Sequence, residues 1–395
     1  MRMVRLSIDV VVVGGGINGV SIAYHLAKHD ARAVLLEKGF IAGGPTGRSS
    51  AIIRQHYSNA VTAKMALKSL RVWQNFSDVV GGDAGYIQTG IMIGVRPQDV
   101  EGLKVNISLQ RSVGIDTNFV PPEVINELEP HLDTAGLGGA AYEPEGGYCD
   151  PAMAANSFAH AAKELGVEIR SGVTVRSLSM QGGKITGVET DQGFYAAGSV
   201  IVAAGPWSAQ LLEPIGVDVP IITARVKVGI YRRPPHFARH QIWTDFITQV
   251  YLRPETGNLT LVGTISPQEE TGDLVTDPDN FNESVGLDIL SRFSERAAGR
   301  YPAMQSSHLV SSYASLYDIT PDWHPILDAV PGVGGLYLCA GSSGHGFKLA
   351  PAVGEMMTRF VLQGKEPEDD INLFSFERFT SGNLVRGQYD YSFLG

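Results

Sequence analysis

The chain has 395 residues, and 31 Lys+Arg against 41 Asp+Glu give a formal net charge of −10. That balance argues against an extended nucleic-acid-binding face, two cysteines are too few for a disulfide framework, and no run of about 20 apolar residues offers a membrane span. The 46 glycines are the outlier: average usage is about 7%, no Gly/Ser tract or three-residue period explains the excess, and it points to positive-φ turns and backbone brought close to a ligand.

In chain order, Ile8-Asp9-Val10-Val11-Val12-Val13 is a β-branched run of buried-strand type. Gly14-Gly15-Gly16-Ile17-Asn18-Gly19 follows at once. Val20, Ile22, Ala23, Leu26 and Ala27 then recur at helical spacing, and Ala33-Val34-Leu35-Leu36 ends at Glu37. Strand, glycine turn, helix and strand make a βαβ unit of about 30 residues. The opening run is too short for a signal-peptide core and lacks a cleavage site, so a soluble, reducing, cytoplasmic setting is expected. Apolar spacing predicts helices over 60–76, 97–113, 122–130, 152–165, 284–299 and 351–362. Strands are expected within 81–94 (Tyr86 and 91–93), at 167–169, 173–175, 185–188, 200–205 and 336–341, and repeatedly in 221–265, where Pro and Gly interrupt. Nucleotide-type pieces thus sit at the start, the middle and the end. With no internal repeat and no flexible linker, two interleaved units built from discontinuous segments are the simplest arrangement.

Gly14-x-Gly16-x-x-Gly19 between strand and helix, with Glu37 closing the next strand, forms a dinucleotide fingerprint. The glycines permit a tight turn, close approach of a pyrophosphate and close helix packing. The helix N-terminus offers N–H groups and the positive end of its dipole. Glu37 suits ribose hydroxyls and disfavours a 2′-phosphate. A tight βα turn with no ligand is the plain alternative. The fingerprint does not choose between nicotinamide and flavin dinucleotides, but three further segments bear on the choice. Residues 43–57 are rich in small side chains and carry Arg48 and Arg54, which suits a loop pressed against a long, flat cofactor. Ala203-Ala204-Gly205-Pro206-Trp207 delivers a buried strand to a glycine, and 340–351 again runs from strand through glycine-rich loop to helix. His236 and His240 have i,i+4 spacing but no third ligand, so an exposed helix or turn is expected rather than a metal site. Residues 366–370 read as a solvated turn.

On these segments the chain resembles the FAD-dependent D-amino-acid oxidase-like superfamily. Within it, it is similar to the sarcosine oxidase and dimethylglycine dehydrogenase branch, which includes β subunits of heterotetrameric sarcosine oxidase and of proline or opine dehydrogenases. The matching stretches are the 14–19 fingerprint, Arg48-Ser-Ser-Ala-Ile-Ile-Arg54, Ala204-Gly205-Pro206-Trp207, Tyr317-Asp318-Ile319-Thr320-Pro321-Asp322 and Gly341-Ser-Ser-Gly-His-Gly-Phe-Lys348. They lie in family order over nearly the whole chain. The resemblance implies an α/β fold in which a Rossmann-like FAD-binding domain (1–85, 146–222 and 311–395) is interleaved with an α+β substrate domain (86–145 and 223–310) on a largely antiparallel sheet. It implies FAD held by Gly14, Gly16, Ile17, Asn18, Gly19, Glu37, Lys38, Arg48, Ser49, Ser50 and Val175. The later segments add Ala204, Gly205, Trp207, Gly341, Gly344, His345, Gly346, Phe347 and Lys348.

The resemblance also implies oxidation of a carboxylate-bearing secondary amine, sarcosine-like or a cyclic imino acid. Hydride passes to FAD, the imine is hydrolysed, and O2 reoxidises the flavin to give H2O2. Arg54 and Lys348 would hold the carboxylate. Tyr317 matches a family active-site tyrosine, and Tyr251 and His345 complete the candidate catalytic set. The plainer roles are an ion pair for Arg54, a flavin-contacting or surface residue for Lys348, core packing for Tyr251 and a backbone-bonding loop histidine for His345. Two departures matter. Where monomeric sarcosine oxidases link flavin through a cysteine, this chain has Ser315, so FAD is expected to be non-covalent, with Cys149 and Cys339 lying elsewhere. Where the family's oxygen-activating lysine is expected, 258–263 contains none. The alternatives are therefore a β-type catalytic subunit passing electrons to a partner in a homo- or hetero-oligomer, and a D-amino-acid or glycine oxidase. The tail Gly382 to Gly395, with Tyr389, Tyr391 and Phe393, is expected to dock on the body or on a partner.

Overall fold

The computed structural model describes residues 8–237 and 239–386. Two eight-stranded sheets dominate it. The first has a parallel core in the order Glu168–Ser171, Ala33–Glu37, Ile8–Val13, Gly193–Val202 and Leu336–Ala340. Ile326–Ala329 adds an antiparallel edge. The strand Ile8–Val13 is buried on both faces, as its unbroken valine run requires. Val10 and Val12 pack under the helices Ile17–Lys28, Ala60–Gln74, Pro151–Glu164 and Gly346–Gln363. Val11 and Val13 face the other way, onto Leu178, Ile185 and Val188. Those three belong to an antiparallel meander of Val175–Gln181 and Lys184–Thr190, which pairs with the first half of Gly193–Val202. The fold is thus α/β, with sheets and covering helices.

The second sheet runs in the order His308–Ile319, Ile222–Arg232, Leu259–Thr264, Val250–Glu255, Ile242–Asp245, Ile91–Val95, Gly139–Glu143 and Asn118–Val120. It is antiparallel except between Ile242–Asp245 and Ile91–Val95. The helix Leu287–Arg300 covers one face, burying Phe293 and Ala297 against Trp243, Leu252 and Val262. Arg300 is pinned there by buried Asp245 at 2.5 Å. A small third sheet joins Ile52–Ile53, Gly147–Tyr148 and Ile87–Gln88.

The predicted helices all occur, with shifted ends. The largest shift is at the last one, which begins at Gly346 rather than 351 and encloses Pro351. Side chains take up carbonyls of its first turns. Trp73 Nε1 donates to the Lys348 carbonyl at 3.0 Å, Ser69 Oγ to that of Leu349 at 3.3 Å and Ser21 Oγ to that of Ala350 at 2.8 Å. The twelve-residue strand His308–Ile319 had no sequence signal of its own, because its first residues, His308 to Ser311, are exposed and polar or mixed. His240 corrects the expectation of an exposed turn. It is buried, with Nε2 2.8 Å from Thr260 Oγ1 and its ring stacked on Phe237, and burial lowers it to about 3, so it stays neutral. Only His236 is exposed. Pro367 and Glu368 form an exposed turn. Of the tail, Val385 N–H reaches Asp322 Oδ2 at 3.1 Å, while Tyr389, Tyr391 and Phe393 lie outside the described residues.

Glycine 19 shows how tightly the first turn is built: a Cβ there would lie 2.0 Å from the Gly14 carbonyl oxygen. Gly19→Ala is therefore expected to lower stability by about 1–3 kcal/mol. Exposed helical Gly299, whose Cβ would meet nothing, should gain about 0.5–1 kcal/mol on change to Ala. Thermal unfolding of both variants checks the pair.

Candidate active site

The carboxyl ends of the parallel strands meet in one cavity of about 620 Å³, where ligands of doubly wound sheets bind. Gly14 is forced there: its φ is +111°, and a Cβ would lie 2.4 Å from the Ala203 carbonyl oxygen. Glu37 closes the turn, its carboxylate accepting from Gly15 N–H at 2.6 Å and Gly39 N–H at 2.7 Å. A carboxylate has about four acceptor positions, so capacity remains for a ligand hydroxyl. Thr46 Oγ1 takes the Ile17 N–H at 3.0 Å. Asn18 reaches Ser342 across the cleft at 3.2 Å, which ties the first glycine turn to the last glycine loop.

Apart from Gly19, Gly341, His345 and Lys348, every residue of the expected cofactor set lines this cavity. Gly19 serves helix packing. Gly341 shapes its loop: its φ is +68°, and its N–H is held by buried Asp318 at 2.7 Å. Lys38 lies 3.8 Å over the Trp207 ring.

The strand His308–Ile319 supplies Ser315, Tyr317 and Asp318 to the wall, and the neighbouring strands supply Lys227, Tyr251 and Thr264. Ser50 Oγ donates to the Tyr251 hydroxyl at 3.0 Å, leaving the phenol hydrogen for the cavity. Burial raises the pKa of both Tyr251 and Tyr317, so each phenol keeps its proton. Ser315 stands on the wall, but so does Cys339, which the sequence placed elsewhere. Burial pushes the Cys339 thiol far up, and the nearby Asp318 charge adds to this. A protonated thiol is a poor nucleophile.

Arg54, Lys348 and His345 are buried at 6%, 8% and 3% exposure and stand just behind the wall. Lys348 Nζ donates to the carbonyl of Gly344 at 3.2 Å, and Gly344 itself packs against the Tyr317 ring. Burial, and then the Arg54 charge, pulls the Lys348 ammonium well below the ordinary lysine range. Arg54 donates to the His56 carbonyl and lies over the Tyr57 ring at 4.5 Å. His345 packs against Tyr57, 5.5 Å between centroids.

Several wall residues escaped the sequence reading. Glu270, buried in the short helix Pro267–Thr271, faces the cavity, as does Lys227, which Asp273 holds at 2.5 Å. Pro278, Asp279, Phe281 and Glu283 cover the mouth, tied down by Lys38–Asp279 and by Arg48–Glu283 at 2.7 Å. These acids sit in a loop with no motif, so only the fold could place them. Of the strand Leu259–Thr264, Thr264 reaches the cavity, and the strand contains no lysine.

A glycine-rich βαβ turn, an acid for ribose and a cleft at the carboxyl ends of the parallel strands define a dinucleotide-binding protein. Residues 9–360 match the family model described as FAD dependent oxidoreductase, and the chain belongs to that family. It is 26% identical over 390 residues to a sarcosine oxidase subunit beta from Arthrobacter sp, covering 96% of this chain and 93% of the relative. It is 28% identical over 394 residues to a human peroxisomal sarcosine oxidase, covering 94% and 96%. Among solved structures, the L-proline dehydrogenase from P. horikoshii superposes with a TM-score of 0.88 at 28% identity, covering 96% and 99%.

The residues present fit FAD. Gly14 and Gly19 leave no room for side chains where the backbone folds around the phosphate position. Buried Asn18 Oδ1 and Trp207 Nε1 have no protein partner among the described residues, and both belong to side chains that line the cleft. With serine at 315 and a protonated thiol at 339, the flavin should be held without a covalent bond. Acid precipitation of the holoprotein is expected to leave all the flavin in the supernatant. A flavin-coloured pellet would show a linkage.

Proposed function

We propose that the chain oxidises a small secondary amine that bears a carboxylate, of the sarcosine or cyclic imino acid kind. The observation that carries this is the pair of buried cations, Arg54 and Lys348, held near each other behind Gly344 and Tyr317. Burial first, and then the nearby Arg54 charge, disfavours the Lys348 ammonium. An anionic ligand reverses that, and charge-assisted bonds to a carboxylate are the strong ones. The names of the three relatives given above, each an amine or amino-acid oxidase or dehydrogenase, point the same way.

In this reading Arg54 and Lys348 fix the carboxylate, which fixes the position of the neighbouring C–N bond. Tyr317 and Tyr251, kept protonated by burial, donate hydrogen bonds into the cavity and shield it from water. FAD, when bound, accepts hydride from the carbon next to nitrogen, and water then hydrolyses the imine. In this reading 1–85, 146–222 and 311–395 make the cofactor domain and 86–145 and 223–310 the substrate domain, with the strand His308–Ile319 running between them in the antiparallel sheet. Arg54→Ala or Lys348→Ala is expected to raise KM for the acidic amine roughly 10- to 100-fold, with FAD affinity nearly unchanged. Steady-state kinetics together with flavin titration check this, and unchanged KM in both variants would remove the clamp.

Reoxidation by O2 is the terminal step of this reading. A second reading, transfer of electrons to a partner, is favoured by the absence of lysine from Leu259–Thr264. The purified chain is expected to release one H2O2 per amine consumed. Turnover that requires an added dye acceptor would establish the second reading instead.

A further inference from the structure

Glu270 is 6% exposed and lines the cavity beside Tyr251, Thr264 and Tyr317. Among the described residues nothing hydrogen-bonds to its carboxyl or forms an ion pair with it. Its neighbour Glu269 is occupied by Arg296 at 2.8 Å. The cations on the strand packed against this helix, Arg225 and Lys227, are both taken by Asp273, at 3.0 and 2.5 Å. The other titratable groups that sense Glu270 are the phenols of Tyr251 and Tyr317, which are neutral. Arg54 and Glu270 both act on Tyr317, the one favouring its charged form and the other opposing it. The cavity end therefore has cations behind the Gly344–Tyr317 wall and, near the same tyrosine, one unpartnered carboxyl.

A buried carboxyl without a partner is costly to ionise. Burial, and secondarily the Glu269 charge, pushes Glu270 up to about 8. A ligand ammonium is the partner that would ionise it. An amino acid arrives as a zwitterion, and its nitrogen can release hydride from the adjacent carbon only as a neutral amine with a free lone pair. A proton acceptor matched to the working pH is therefore needed at the nitrogen.

Building on the amine-oxidation reading, we propose that Glu270 receives the substrate nitrogen: its carboxylate binds the ammonium and takes one proton from it. The N–H bond breaks, its electron pair stays on nitrogen, and an O–H bond forms on Glu270. The freed lone pair would then let the neighbouring carbon give its hydride to the bound flavin, leaving a carbon–nitrogen double bond. Glu270 gives the substrate pocket its polarity, with anion at the Arg54–Lys348 end and cation at the other.

The test uses two unreactive carboxylates of the same shape on the FAD-loaded protein, trimethylglycine (its bulky end a fixed cation) and tert-butylacetate (its bulky end uncharged), with binding read from the flavin absorbance. Lys348 loses its proton as pH rises and weakens both alike, so the ratio of the two affinities isolates Glu270. In the wild-type protein the ratio is expected to move toward trimethylglycine about tenfold between pH 7 and pH 9, as Glu270 ionises. In Glu270→Gln the ratio should be flat with pH, while tert-butylacetate binding changes less than about threefold. Anaerobic flavin reduction by the amine should slow roughly 100-fold in the variant at neutral pH. A pH-dependent ratio that survives in Glu270→Gln, or a flat ratio in the wild type, overturns the assignment and leaves the amine reading standing. Binding of neither carboxylate would overturn the amine-carboxylate reading itself, and this assignment with it.

Discussion

A Cβ on Gly19 would come within 2.0 Å of the Gly14 carbonyl, and one on Gly14 within 2.4 Å of the Ala203 carbonyl. These contacts draw the first helix down onto its strand and two parallel strand ends together. The rest of the cofactor cleft depends on that convergence. The last helix follows the same logic, since a Cβ on Gly354 would meet Ser21 Oγ at 2.2 Å. The helices Ile17–Lys28 and Gly346–Gln363 therefore pack backbone to backbone, and their N-termini, joined through Asn18 and Ser342, open on one cavity. The glycine excess is the record of this geometry. Residues 14–19, 39–47 and 332–346 hold 14 of the 46 glycines, and all three stretches border the cleft or shape its loops.

The strand His308–Ile319 makes the two sheets one machine. Along its length it pairs with Ile222–Arg232 in the antiparallel sheet. At its end, Asp318 reaches over to the other sheet's last loop, its carboxylate accepting from Gly341 N–H at 2.7 Å and its carbonyl from Ser343 N–H at 2.9 Å. Burial raises Asp318 to about 6 against the pull of the Ser342, Asp318 and Gly341 N–H groups on its carboxylate. The backbone bonds explain why an acid is kept in so dry a place. They lock the loop that carries Gly344, and Gly344 in turn supports both Tyr317 and the Lys348 ammonium.

The cofactor end was legible in the sequence because its signals are local. A valine run, a glycine triplet at fixed spacing and an acid at the next strand end lie within 30 consecutive positions, and each has one structural meaning. Arg54 and Lys348 were reached through resemblance to a family, since nothing in their own spacing joins residues so far apart in the chain. Glu270, Lys227 and the 278–283 cover were not reached at all. The place of Lys227 follows from the register of the antiparallel sheet, where a slip of one residue would turn it to the opposite face, while Glu270 on its short helix and the 278–283 loop are brought to the wall by the tertiary fold alone. Cys339 illustrates the limit: its strand was foreseen, but not that the strand's edge is the cavity floor. His240 illustrates another, because an i,i+4 histidine pair looks alike whether the chain there is a surface turn or runs into a sheet.

Buried acids divide by location in a way that argues for function at the cavity. Asp245 is paired with Arg300 and Asp322 with Arg378, at 2.5 and 2.7 Å, and neither acid lines the cavity. Such pairs satisfy both charges and fasten elements together. Glu143, behind Arg54, takes a backbone N–H from Gln55 at 2.8 Å and is raised to about 7. Glu270, on the cavity wall, has no partner among the described residues. Glu129, also raised to about 7 by burial, is the one comparable acid far from the cleft, and its carboxylate is spent on the Gln241 N–H at 2.7 Å. A fold that elsewhere gives each buried carboxyl a cation or an N–H has left this one exposed to whatever enters. A lone buried carboxyl adds nothing to stability, since burying a polar group without a hydrogen-bond partner is unfavourable. An acid without a partner among the described residues and two basic side chains, all near one tyrosine, are the groups that the proposed zwitterionic ligand would complete.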